Sequence, residues 1–396
     1  MKKHLFMALC AVAAAFGVAA AETPQKLDPH FEAVIKHVDV GGEFLFYQNV
    51  TSLMKICDNM VAYVGKIASQ KDPAVRSAFD IAAKLLDLTS FKAQAASSAK
   101  LDRRFYVFKQ FMLVDPNTKS VLSAKAFPNA PLESMMRSLP ADTRFAVCSN
   151  VNSAYIWARI NEELIASGDQ KLIAGLANIR AKAMNKGVNI DVLAASVCGP
   201  MMLVVAGKNP VSLKIAVAIA DKDGALSAQL RKSFQPKAGE SVYPIKDLDI
   251  FPNAQLVYSE GCVLIVSDPK ILEKPAKMFG DVPRHAKFLA QLPKEGNSFM
   301  IVDIPPKFAE FINAVTPMEY RQAFRMRAIS FAAVGTASPD GMGSIAVSNF
   351  SLPMVYPHVV NATMANAVKE ILEKSAAPAA PAQTPAQAPA PAKTAK

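Results

Sequence analysis

Three serines of this sequence each have a lysine three positions later, the spacing with which a lysine one helical turn on activates the serine nucleophile of penicillin-binding enzymes. Neither the Ser-Asp-Asn nor the Lys-Thr-Gly element that completes such a site occurs in the chain. A pattern that recurs in this way is close to chance, so we predict no catalytic serine. The pairs are Ser52 with Lys55, Ser97 with Lys100 and Ser267 with Lys270.

Two histidines near the start, His30 and His37, are seven residues apart, so a helix would carry both imidazoles on one side, two turns apart. Metal ligands on one helix are usually one turn apart, as in His-Glu-x-x-His, which is absent. The spacing therefore predicts a solvated amphipathic helix. His285 and His358 have no serine or carboxylate at a diagnostic spacing, so a triad could arise only from residues assembled in space.

Glycine spacing argues against a nucleotide site, because neither Gly-x-Gly-x-x-Gly nor Gly-x-x-x-x-Gly-Lys occurs. Trp157, the single tryptophan, is expected to pack in a core beside Ile156 and Ile160, with sugar stacking as the alternative. The chain is therefore predicted to have no catalytic residue, no cofactor site and no metal site.

The first 21 residues have the three parts of an export signal. A basic start leads into an apolar stretch that ends at Val18 and is too short to span a bilayer. Small residues then lead to Ala21, after which we predict cleavage. Cys10 is not predicted to be lipidated, because Leu9 stands where a lipobox has a small residue. The mature chain is expected in the periplasm or at the cell surface, with no transmembrane anchor.

Loss of Lys2 and Lys3 with the signal peptide lowers the formal net charge from +11 to +9. An excess of positive charge favours acidic partners such as anionic lipid headgroups or polyanionic glycans. The lysines are scattered, with no run of five like charges. For an exported chain nucleic acid is not expected as a partner, and an envelope protein, a glycan or a lipid is expected instead.

Four cysteines remain after cleavage: Cys57, Cys148, Cys198 and Cys262. An exported chain can form disulfides, and four cysteines allow three pairings, among which the sequence does not choose. Cys148 and Cys262 lie in apolar strand-like segments, where burial as free thiols is the competing interpretation. No two cysteines are close enough in sequence to form a local zinc ligand pair.

A strand followed by a helix recurs along the chain. Residues 44–52 and 145–153 share an initial Phe and the pattern Asn-Val-x-Ser. A third copy begins at residues 299–306 and later contains a turn at Ser338–Gly341 between two strands. The expected unit is a strand, a helical segment and an antiparallel strand pair.

The helices of the first two copies are expected to begin at side-chain oxygens that accept free backbone amide hydrogens. Apolar residues at helical spacing follow each cap, beginning with Leu53, Ile56, Met60 and Val64 in the first copy. The expected caps are Thr51 or Ser52 in the first copy and Asn152 or Ser153 in the second.

Adjacent runs of strands predict an α+β fold of repeated units, with mainly antiparallel sheets and helices packed on one face. A hairpin turn is expected at Ser259–Gly261. The end of the chain, rich in Ala and Pro, is predicted to be a disordered tail. The expected divisions are a signal peptide at 1–21, α+β units at 22–135, 136–280 (richer in strands) and 281–374 (with a C-terminal helix), and the tail at 375–396.

Leu139–Thr143 reads Leu-Pro-Ala-Asp-Thr. It resembles the motif that leads each unit in a family of secreted bacterial proteins of unknown function, where the motif precedes a strand and a helix. Residues 187–191 and 261–267 resemble later parts of the same unit. The resemblance extends over residues 40–350, implies an exported repeat protein and assigns no catalytic residue.

These features favour a non-enzymatic binding or structural protein of the bacterial envelope. The first alternative is a periplasmic carrier of an apolar ligand such as a lipid, because the chain has 17 Met and 22 Phe and its sheets could enclose a cavity. The second alternative is a hydrolase whose site is assembled from distant residues. An enclosed apolar pocket or a cluster of polar side chains in a cleft would separate these hypotheses.

Overall fold

The structure is a computed structural model that describes residues 28–70, 73–245, 253–316 and 327–351. Fourteen strands lie within these ranges. The strands are β1 (Phe44–Asn49), β2 (Phe91–Lys100), β3 (Tyr106–Val114), β4 (Ala130–Pro131), β5 (Thr143–Asn152), β6 (Cys198–Ala206), β7 (Lys214–Ala220), β8 (Val242–Pro244), β9 (Gln255–Ser259), β10 (Cys262–Val266), β11 (Glu295–Gly296), β12 (Ser298–Ile304), β13 (Ile329–Ser338) and β14 (Gly341–Ser348).

Ten α-helices lie in the same described ranges. They are α1 (Phe31–Ile35), α2 (Thr51–Ala68), α3 (Pro73–Leu86), α4 (Glu133–Ser138), α5 (Ser153–Ser167), α6 (Gln170–Met184), α7 (Ile190–Ala195), α8 (Ala225–Leu230), α9 (Pro283–Leu289) and α10 (Pro306–Val315).

The two predicted helix caps have different outcomes. Asn152 caps α5, because its side chain accepts a hydrogen bond from the amide of Tyr155 at 3.1 Å. The cap predicted at Thr51 or Ser52 is wrong: the side chain of Asn49 accepts the amide hydrogen of Thr51 at 3.0 Å, so the cap group lies at the end of the strand.

Most strands belong to one large sheet. Twelve of the described strands pair in the order β1-β2-β3-β14-β13-β12-β5-β6-β7-β10-β9-β8, and β4 pairs separately with β11. All of these pairings are antiparallel, which confirms the predicted α+β class with mainly antiparallel strands. The predicted units at 22–135, 136–280 and 281–374 thus contribute strands to the same continuous sheet.

Three segments of the chain have the same connectivity in this sheet. The strands β1, β5 and β12 are each followed by one or more helices and then by two strands, the first of which pairs with the opening strand. The middle segment continues into β8, β9 and β10, and a tight turn at Glu260 and Gly261 joins the last two. Gly261 has φ +72°, which a residue without a side chain adopts readily.

The largest core lies on one face of the central strands. Phe299 and Ile301 of β12 pair with Cys148 and Ala146 of β5, so their side chains share this face. Helices α4 and α9 cover it. On the same face further along, α1 packs against β2 and β3.

The packed face changes toward the β8 end of the sheet. There Val263 of β10 pairs with Ile219 of β7, which pairs with Met201 of β6. This register places Val263 on the face opposite to Phe299, and Leu226 of α8 packs against it. The central and distal parts of the sheet are therefore covered by helices on opposite faces, whereas the sequence predicted helices on one face.

Several predicted segments lie outside the described residues. They are the signal peptide at 1–21, the helix at the end of the third unit and the tail at 375–396. In the described part of the chain, no helix combines the length and the apolar character needed to cross a membrane.

Candidate functional site

A group of charged and polar side chains meets at the end of β12. Asp303 is directly opposite Ser330 of β13 in the strand register. Arg144, at the start of β5, reaches the same carboxylate from the other side, and the first turn of α9 adds Arg284 and His285. The group therefore depends on three strands and a helix that are distant in sequence.

The carboxylate of Asp303 is the centre of this cluster. Its Oδ1 accepts a hydrogen bond from Ser330 Oγ at 2.9 Å, and its Oδ2 lies 2.6 Å from Arg284 Nη2 and 3.3 Å from Arg144 Nη1. Asp303 is 2% exposed and His285 is 1% exposed. Arg284 is half-exposed and connects the buried carboxylate to the surface.

The cluster favours the ionised form of Asp303. Burial by itself raises the pKa of a carboxyl group, but His285, the charge on Arg284 and the hydrogen bond from Ser330 outweigh it and hold the pKa of Asp303 below its ordinary value. Burial lowers the pKa of Arg144, whereas the charge of Asp303 raises it. The cluster is therefore built around one buried carboxylate that two arginines approach.

The same cluster contains a serine, a histidine and an aspartate, the residue types of a hydrolase triad, but they are connected differently. Ser330 donates its hydrogen bond to Asp303, not to His285. His285 Nε2 lies 3.1 Å from Arg284 Nε, and its Nδ1 is buried with no hydrogen-bond partner. Since a triad needs the serine bonded to the histidine, this geometry provides no activated nucleophile.

An open cavity lies at the other end of β13, where the loop after β3 faces the β13–β14 turn. Its volume is about 480 Å³, within the range of ligand sites. The lining is mostly small or apolar, with one carboxylate and one ammonium group. It consists of Val114, Asp115, Pro116, Thr118, Ser123, Ala124, Lys125, Pro128, Asn129, Ala337, Ser338, Pro339, Gly341 and Met342.

Hydrogen bonds fix the polar walls of this cavity. The Asn129 side chain donates to the carbonyl of Ala337 at 2.8 Å and accepts from its amide at 2.9 Å, which joins the loop to β13. Thr118 Oγ1 donates to Asp87 at 2.7 Å, and Ser338 Oγ lies 2.7 Å from a carboxylate oxygen of Asp340. The cavity is therefore formed before any ligand enters.

His30 and His37 lie at opposite ends of α1, and His358 lies outside the described residues. His30 precedes α1 and His37 follows it, so the helix is shorter than the predicted one. His37 stacks on Phe111, with ring centroids 3.7 Å apart. In the described ranges, no group of three or more His, Cys, Asp or Glu side chains could hold a metal ion.

The three serine–lysine pairs lie in different kinds of structure. Ser52 and Lys55 are on α2, and Ser97 and Lys100 are on β2, where a spacing of three places side chains on opposite faces. Ser267 follows β10, and its Oγ accepts the amide hydrogen of Ile215 at 2.8 Å. They share no common geometry.

All four cysteines of the predicted mature chain lie in the described residues, and all four are free thiols. Cys57 and Cys148 are buried, Cys262 is partly buried and Cys198 is exposed. Burial raises the pKa of Cys148 to about 11 and also raises that of Cys57. The disulfides that the sequence left open are thus not formed.

Trp157, which the sequence predicted to pack in a core, is partly exposed and is held by polar contacts. Its indole NH donates to Asp191 Oδ1 at 2.9 Å, and the guanidinium of Arg180 lies 5.9 Å from the ring centroid. Arg180 also forms an ion pair with Asp191 at 2.6 Å. The ring therefore ties α5 to α6 and α7.

The Leu139–Thr143 motif forms the turn that enters β5. Leu139 is buried, and Thr143 Oγ1 donates to the carbonyl of Pro140 at 2.7 Å. The carbonyl of Asp142 accepts the amide hydrogen of Gly207 at 3.0 Å. These contacts explain the residues of the motif by their role in forming the turn.

No protein-family model, curated protein or solved structure matches the chain.

Proposed function

We propose that this chain is a non-enzymatic binding protein of the bacterial envelope, exported to the periplasm or the cell surface. The observation that carries the proposal is the preformed cavity between the loop after β3 and the β13–β14 turn. The basic and apolar N-terminal residues with the small-residue stretch ending at Ala21 support export. The resemblance to secreted repeat proteins supports the same location.

A preformed cavity suits binding because its polar groups need no reordering when a ligand enters. Asn129, Thr118 and Ser338 already have partners, so they shape the site. Lys125 supplies a cation and Asp115 an anion at the rim. A small ligand with an apolar body and a polar group fits this lining.

The binding site is tested by filling the cavity. Ala124→Trp should occupy the space between its walls, whereas Val211→Trp places the same side chain at an 84% exposed position elsewhere. Native mass spectrometry of protein purified from its own envelope should show a bound mass in the wild type and in Val211→Trp but not in Ala124→Trp. A bound mass retained by Ala124→Trp, or none in any form, would overturn the cavity as the site.

A carrier of an apolar ligand such as a lipid is the second candidate, favoured by the small and apolar residues that dominate the lining. The same mass spectra distinguish it, because the mass of the bound compound identifies an acyl chain. Hydrolysis of any substrate in a hydrolase panel, abolished by His285→Ala or Ser330→Ala in a folded variant, would contradict the non-enzymatic proposal. An N-terminus other than Glu22 in the exported protein would contradict the predicted cleavage.

A further inference from the structure

One face of α2 exposes four large apolar side chains. Ile56, Met60, Tyr63 and Ile67 are 55%, 52%, 63% and 49% exposed. Their spacing of four, three and four residues places them in one line along the helix. We call these four residues the α2 stripe.

The opposite side of α2 is firmly packed, so the stripe cannot turn inward. Met54 and Cys57 are 2% and 4% exposed. At Gly65 the helix approaches α3 so closely that an added Cβ would lie 2.7 Å from the Cβ of Phe79. Apolar residues therefore cover more of the surface of α2 than the fold buries, and the α2 stripe is the exposed part.

Positive charge borders the stripe. Lys55 and Lys66 are exposed and eleven residues apart, which puts them within about 20° of each other around the helix axis, on one flank of the stripe. Ser52 and Asn59 lie between these lysines and the stripe, while Asp58, the acidic residue of α2, lies on the side of the helix away from the stripe. The lysines therefore lie next to the stripe, and the carboxylate of α2 lies beyond them, farther from the stripe.

We propose that the α2 stripe docks on an anionic lipid surface. In that position the apolar side chains enter the boundary between headgroups and acyl chains, and the lysines reach the headgroup phosphates. Tyr63 suits this depth because tyrosine favours the interface between water and hydrocarbon. The docking is peripheral and independent of the cavity.

Charge favours a lipid surface over a second copy of this chain. In a two-fold antiparallel pair of α2 helices, both lysine flanks lie on the same side of the seam. Lys55 and Lys66 of each copy would then lie beside the lysines of the other, while Asp58 lies farther from the seam than either lysine. An anionic surface has the complementary charge.

The test is flotation of the full chain with vesicles of phosphatidylglycerol and phosphatidylcholine and with vesicles of phosphatidylcholine alone. The wild type should float with the mixed vesicles. A variant with Met60→Glu and Tyr63→Glu should bind at least about tenfold more weakly, because it places two carboxylates in the contact. Val211→Glu, a matched change at an exposed apolar residue away from α2, should bind like the wild type.

A second variant tests the charge. With Lys55→Gln and Lys66→Gln, binding to the mixed vesicles should fall by roughly twenty-five-fold, about fivefold for each lysine near an anionic surface. All variants keep the same N-terminal residues, so a difference between them reports on α2. Circular dichroism melting checks that each variant is folded, as expected for changes at exposed positions.

Three results would overturn the proposal. The first is absence of wild-type binding to the mixed vesicles. The second is equal binding by the wild type and the Met60 and Tyr63 variant, or equal wild-type binding to both kinds of vesicle. The third is a dimer, detected by light scattering, that the same substitutions dissociate while vesicle binding is absent, since the stripe would then be an interface between copies.

Discussion

The Asp303 cluster places charged side chains inside the fold, and the α2 stripe places large apolar side chains on its surface. Both depart from the usual distribution of residue types, but they differ in whether the fold supplies partners for these side chains. At Asp303 the charges lie inside, and each has an opposite charge or a hydrogen-bond donor within reach. On α2 four large apolar side chains lie at the surface, between 49% and 63% exposed. A buried charge with such partners indicates a structural role, whereas a line of exposed apolar side chains indicates a contact beyond this chain.

The largest expected effect is at the cluster. Asp303→Ala should lower the free energy of unfolding by about 3–5 kcal/mol, because it leaves Arg144 and Arg284 near each other without their counter-ion. Urea unfolding at neutral pH measures this change. If Asp303→Ala lowered the free energy of unfolding no more than the removal of an exposed carboxylate does, Asp303 would not be the centre of a stabilising buried cluster.

The control for this prediction is Asp80→Ala. Asp80 lies 3.9 Å from Arg76 on α3, with both side chains more than half exposed. Its removal should change the free energy of unfolding by less than about 1 kcal/mol, since exposed ion pairs contribute little.

The packed side of α2 should be nearly as sensitive. Met54→Ala should lower the free energy of unfolding by about 2–4 kcal/mol, because Met54 is 2% exposed and its removal leaves a cavity. Thermal and urea unfolding measure the loss. If Met54→Ala lowered the free energy of unfolding by no more than the same substitution of an exposed methionine, the buried face of α2 would not be what holds the helix in the fold.

Acid should weaken the cluster by a smaller amount. The folded-state pKa of Asp303 is below its ordinary value of 3.8, so its stabilisation is complete above that value and is lost as pH falls through the folded-state pKa. Each unit of lowering corresponds to about 1.4 kcal/mol. The stability difference between the wild type and Asp303→Asn should therefore shrink as pH falls below the ordinary value. A difference that stayed constant would mean that Asp303 is not held ionised.

The smallest effect is expected on the stripe. Met60→Ala should change the free energy of unfolding by less than about 0.5 kcal/mol, because the side chain is 52% exposed in the folded chain. Met54→Ala is the same substitution six residues earlier, on the buried side of α2. The difference between the two losses measures how differently the two sides of the helix are packed. A large destabilisation would show that the stripe packs inside the fold and would remove the reason for an external partner.

Much of the local structure could be predicted from the sequence. The strands around Phe44, Phe145 and Phe299, the turn at Ser338–Gly341 and the cap at Asn152 follow from alternation, glycine and side-chain oxygens. The cap of α2 was misplaced because Asn49, three residues before Ser52, is equally able to accept an amide hydrogen.

The candidate sites were much less predictable. The sequence signal for the cluster was Asp303 itself, a charged residue within an otherwise apolar strand. A charged residue on a buried face needs a partner. Its partners come from β5, α9 and β13, which lie far apart in the sequence. The cavity also joins two distant segments, and its polar walls use contacts between the loop and β13.

The sequence by itself determined which residues share a face of a strand or helix, because that depends on periods of about 2 and 3.6 residues. It placed Ile56 and Met60 on the apolar side of α2. Only the tertiary structure decided that these two are exposed whereas Met54 is buried, and that Asp303 lies between two arginines. The reason is that exposure and ion pairing depend on which elements pack together, and local periodicity carries no information about that.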